Sequence, residues 1–83
     1  MKLKETLIYR NSDGIIFDTE KGKLIELNES ANKVVSYLCN GVDIEIDELC
    51  AKMLQEYPGS DEKEIAEYVA GFIEKLKEID ALR

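Results

Sequence analysis

Apolar positions fall into three short runs near the start of the chain and three longer, helically spaced sets after them. The runs are Leu7-Ile8-Tyr9-Arg10, Ile15-Ile16-Phe17-Asp18 and Lys23-Leu24-Ile25-Glu26-Leu27. Asn11-Ser12-Asp13-Gly14 and Thr19-Glu20-Lys21-Gly22 separate them. Both separators form turns, because glycine tolerates a positive φ and Asn, Ser and Asp side chains bond back to nearby backbone. Short runs joined by short loops predict a three-stranded antiparallel meander with the first and third strands at its edges. Strand side chains alternate between faces. Ile25 and Leu27 therefore share a face with Lys23 and are the core candidates, while Leu24 and Glu26 face the other way.

Helical spacing takes over after Asn28, a good N-cap followed by Glu29 in the first turn. Ala31, Val34, Val35 and Leu38 form the first apolar stripe, and Asn40-Gly41 predicts its stop. Ile46, Leu49, Cys50, Met53 and Leu54 form the second, starting from Asp43 or Asp47 and closed by Tyr57-Pro58-Gly59. The third starts at Ser60 or Asp61, and Asp61 with Glu64 has capping-box spacing. Its stripe is Ile65, Val69, Phe72, Ile73, Leu76 and Ile79, with Ala66 and Tyr68 beside it. Strands first and helices afterwards predict one α+β domain over residues 1–83, with the helices on one sheet face. The last two helices, joined by a tight turn, have the layout of a winged helix-turn-helix with the sheet as wing.

Composition narrows the function. Hydrophobic residues at 45% and charged residues at 35% fit a folded chain rather than a disordered one. The apolar runs are far too short to cross a bilayer, and Met1-Lys2-Leu3-Lys4-Glu5 lacks a signal-peptide core, so a cytoplasmic location is expected. Net charge is −7. Residues 1–28 are neutral, so the surplus sits on the helical part, which opposes binding to phosphates. The chain has no histidine and only two cysteines, Cys39 and Cys50. That set cannot complete a structural zinc site without help, and the two cysteines read as small buried apolar residues in helices. No glycine-rich phosphate loop appears. No catalytic residue, metal or cofactor is expected.

A binding role is better supported. An edge strand presents unpaired N–H and C=O groups that accept an added strand. A third helix beside the third strand would close a groove between them. Tyr68 and Phe72 are four apart and share a helix face. For Phe72, plain core packing is the favoured reading; for Tyr68, whose hydroxyl wants water or a partner, core and groove are evenly matched.

The ordered pattern Arg10, Asp13-Gly14, Phe17-Asp18, Leu27-Asn28, Ala31, Leu38 and Asn40-Gly41, with helices around Leu49, Tyr57 and Phe72–Leu76, resembles the PqqD-like family of RiPP recognition elements. The resemblance runs from about residue 5 to 82. Two departures stand out. The stretch from Gly41 to Leu49 is about two residues longer than the common pattern, and Glu78-Ile79-Asp80-Ala81-Leu82 lacks the glycine often found before the final apolar pair. The resemblance implies binding of the leader part of a ribosomally made precursor peptide, which adds as a strand to the third strand and packs on the third helix. Carried over, one wall is Lys23, Leu24, Ile25, Glu26 and Leu27, and the other is Ile65, Tyr68, Val69 and Phe72. It also implies a freestanding form serving a separate modifying enzyme, a radical SAM enzyme or a leader peptidase. The alternatives are a winged-helix DNA-binding regulator, which the acidic third helix opposes, and a dimeric interaction module. A homodimer through the open edge is compatible with peptide binding.

Overall fold

The computed structural model describes residues 1–39 and 43–83. Strands β1 (Leu7–Arg10), β2 (Ile15–Asp18) and β3 (Lys23–Glu26) form an antiparallel sheet in the order β1-β2-β3, followed by helices α1 (Glu29–Leu38), α2 (Ile46–Glu56) and α3 (Glu62–Glu78). The predicted α+β architecture is the one observed, with β3 one residue shorter because Leu27 leads into the Asn28 cap.

The register follows from the two turns. Ile8, Phe17 and Leu24 are cross-strand neighbours, as are Tyr9, Ile16 and Ile25. The second row faces the helices, and Ile16 at its centre is fully buried. The first row lies on the outer face, where all three side chains are exposed. Gly14 and Gly22 close the hairpins at φ of 64° and 65°, values that favour glycine. Asp18 is buried at the head of the second turn, where one of its carboxylate oxygens accepts from the amides of Glu20 (3.0 Å) and Lys21 (3.2 Å).

Asn28 caps α1 as expected, its Oδ1 accepting from the Ala31 amide at 2.8 Å. The expected stop at Asn40-Gly41 lies outside the described residues. For α2 neither Asp43 nor Asp47 is the cap; Glu45 takes the extended cap backbone without a side-chain bond. Ile44 is buried just ahead of it, and its amide donates to the Met1 carbonyl (3.1 Å), which fixes where the helix begins. Asp61, not Ser60, caps α3.

One apolar core joins sheet and helices, centred on Ile16, Val34, Val35, Leu38, Leu49, Met53 and Val69. Cys50 is half-buried against it, but Cys39 is exposed at the end of α1 instead of buried in a helix, because the inward position there belongs to Leu38. The chain's first residues, silent in the hydrophobic pattern, bridge to its last ones. Leu3 pairs with Leu82, and the Lys4 amide donates to the Ala81 carbonyl at 2.9 Å. No helix among the described residues is long and apolar enough to cross a membrane.

Candidate binding groove

Two contacts hold the C-terminal end of α3 beside the sheet. Lys21, carried out of the second hairpin turn, donates from Nζ to the Ile79 carbonyl at 2.9 Å. A cation at a helix C-terminus satisfies a carbonyl that has no partner within the helix. Lys4 pairs with Asp80 at 2.5 Å. Asp80 has a φ of 59° where the helix ends, and the next amide, from Ala81, reaches back to the Leu76 carbonyl at 2.8 Å. Asp80 thus fills the left-handed position where helices usually place glycine. The Lys4 ammonium holds the Asp80 carboxyl below the usual carboxylate range, and Asp80 in turn raises Lys4.

This anchoring leaves a groove of about 560 Å³ between β3 and α3. Ile25 and Leu27 form the strand wall, with Glu26 and Asn28 at its rim. Tyr68, Phe72 and Ile79 form the helix wall, with Gly71 between the aromatic pair and Lys75. Ala31 and Leu76 close the floor, and Glu67 stands at the upper rim. Ile79 and Tyr68 are 39% and 37% exposed, so this wall shows apolar surface that none of the described residues covers. The rings of Tyr68 and Phe72 lie parallel, with centroids 6.4 Å apart. Burial pushes the Tyr68 hydroxyl above its ordinary range.

The edge of β3 supplies the polar side of the groove. The Leu27 amide donates to the Gly14 carbonyl at 2.8 Å. By the alternation of an antiparallel ladder, Leu27, Ile25 and Lys23 turn their backbone groups toward β2. Leu24 and Glu26 turn theirs outward, two N–H and two C=O groups along one edge. The β1 edge differs. There the Leu7 amide already donates to the Lys4 carbonyl at 3.2 Å.

The expected walls are partly redrawn. Ile25, Glu26, Leu27, Tyr68 and Phe72 come together in the groove. Lys23 lies just beyond its lower end, beside Glu78 and Ile79. Leu24 offers only its backbone, since its side chain is on the outer sheet face and 56% exposed. Ile65 and Val69 do not line the groove. They are buried in the core, because the inward stripe of α3 runs through Ile65, Val69, Ile73 and Leu76, and the groove face is rotated from it. Phe72 sits between the two faces and serves both. Gly71, Lys75 and Ile79 were missed, although the spacing 68, 71, 72, 75, 79 is itself helical.

Gly71 stands out on that face. A glycine in a helix interior costs about 1 kcal/mol relative to alanine. A Cβ built on Gly71 would meet nothing within 4 Å, so no packing among the described residues requires it.

Among the described residues, no cluster of acidic or cysteine side chains is placed to hold a metal ion. The groove offers backbone donors and acceptors on one wall and apolar rings on the other, which is chemistry for binding an extended chain. Neither a curated protein nor a solved structure matches the chain. The family model for coenzyme PQQ synthesis protein D (PqqD) matches residues 13–82, which spans both walls of the groove and most of the sheet. With the sheet, the three helices and the groove in the order that the sequence pattern led us to expect, the chain belongs to the PqqD family.

Proposed function

We propose that the chain acts, over residues 1–83, as one peptide-binding domain that captures the leader segment of a ribosomally made precursor peptide. The leader adds as a further strand to β3 and presses alternate side chains onto Tyr68, Phe72 and Ile79. The observation that carries this reading is the outward-facing backbone of Leu24 and Glu26 alongside an uncovered apolar helix face. The chain's role is delivery rather than catalysis, in the cytoplasm, to a separate modifying enzyme, either a radical SAM enzyme or a leader peptidase.

The magnitudes agree with a transient carrier. Four edge hydrogen bonds contribute about 1 kcal/mol each. Two or three buried anchors add about 2 kcal/mol each. Ordering a flexible peptide costs about 2–5 kcal/mol, and association entropy costs more. The sum leaves an affinity no tighter than the micromolar range, far from picomolar.

Fluorescence anisotropy with the labelled leader of a precursor encoded beside this chain tests it. Leu24→Pro removes an outward N–H without touching the β2 ladder, and binding is expected to weaken at least about tenfold. Leu24→Thr keeps the backbone and is expected to bind as the parent does. Equal binding by a folded Leu24→Pro variant would exclude strand addition to β3.

A further inference from the structure

We infer that Gly71 is a notch that receives one large apolar side chain of the bound peptide, and so sets which peptides the groove accepts. The inference rests on the peptide-binding reading above and adds a specificity-determining residue to it.

Three observations converge. Gly71 lies inside α3, ten residues after its Asp61 cap, where glycine weakens a helix. No neighbour explains it, since a side chain there would point into open space. That space is the groove itself, with Tyr68 one turn before and Lys75 one turn after on the same helix face. Across from it, Ile25 and Leu27 supply apolar strand surface. A strand added to β3 places alternate side chains toward α3. The one level with Gly71 meets a gap flanked by the Tyr68 ring and the aliphatic stem of Lys75, beside Phe72. Such a gap suits leucine, isoleucine or an aromatic ring. A small or charged side chain would leave the rings uncovered or lose its own hydration.

The notch predicts opposite signs for stability and binding. Gly71→Ala and Gly71→Leu are both expected to raise Tm by roughly 2–6 °C, since both are better helix formers at an exposed position. Gly71→Leu fills the gap and is expected to weaken leader binding about tenfold or more. Gly71→Ala, filling less, falls between the parent and Gly71→Leu.

The test is a pairwise cycle on the full chain by anisotropy, using the labelled leader of the neighbouring precursor and its single-alanine series. One alanine-substituted peptide is expected to bind the parent several-fold more weakly and yet lose little further on Gly71→Leu, because peptide side chain and leucine compete for one space. If the parent leader binds the parent chain and Gly71→Leu equally well, the notch is refuted while strand addition stands. If Gly71→Leu weakens every peptide by the same factor, the side-chain pocket is refuted as well. If the leader fails to bind the folded parent chain at all, the peptide-binding reading falls, and the notch with it.

Discussion

Gly14 joins the turn to the groove. Its φ of 64° suits glycine, and a Cβ there would stand 3.3 Å from the Leu27 carbonyl oxygen. Gly14→Ala is therefore strained twice, and chemical denaturation is expected to show a loss of about 1–2 kcal/mol. Gly22 has the same conformation but open space around it, so Gly22→Ala is expected to cost less. Asp80 reads the other way. It takes the left-handed position without being glycine and is held there by Lys4. Its depressed pKa means that the ion pair stabilises the fold above the ordinary aspartate range and that this is lost as pH falls through the folded value. The raised Lys4 pKa gives the matching upper limit, with the contribution lost as pH rises through it. Asp80→Asn keeps a side chain that tolerates this backbone. It is expected to melt below the parent at neutral pH, and the gap is expected to close as pH falls through the folded value of Asp80, where the carboxyl becomes as uncharged as the amide.

Among the elements, β3 and α3 carry the account, and they were unequally legible. Alternation along Lys23–Leu27 revealed which side chains face inward, because a half-buried strand repeats every second residue. The outward turn of the Leu24 and Glu26 backbone follows from the ladder register, visible only once Leu27 is seen bonded to Gly14. In α3 the apolar stripe was clear, but its division between core and groove was not. Ile65 and Val69 are as apolar as Ile79, and only the placement of the helix against the sheet decides which are covered. That placement is set by the shared core and, at the end of the helix, by Lys21 reaching the Ile79 carbonyl and the bridge between Leu3 and Leu82. Contacts so distant in sequence leave no periodic trace. The α2 start failed for a similar reason, since the buried Ile44 outranks a local aspartate cap. Proline scanning of β3 separates the two roles of its backbone. Ile25→Pro removes an N–H that faces β2 and is expected to unfold the sheet, seen as loss of Tm. Leu24→Pro is expected to stay folded and lose only binding.

For the whole molecule, charge and shape point to the same partner class. The surplus of negative charge lies on the helices, and the exposed face of α3 carries Glu62, Glu64, Glu67, Glu74 and Glu78. A helix so charged repels a phosphate backbone, so gel-shift titration against duplex DNA at low salt is expected to show no complex. The groove between β3 and α3, by contrast, pairs unused hydrogen-bonding groups with uncovered rings. The most direct measurement is a backbone-amide NMR titration of the labelled chain with the leader of the neighbouring precursor. Saturable shifts concentrated on residues 23–27 and on Tyr68, Gly71, Phe72 and Ile79, with Ile65 and Val69 less affected, are the expected result. Saturable binding whose shifts leave β3 unmoved and gather on the β1 edge or the outer sheet face would contradict it.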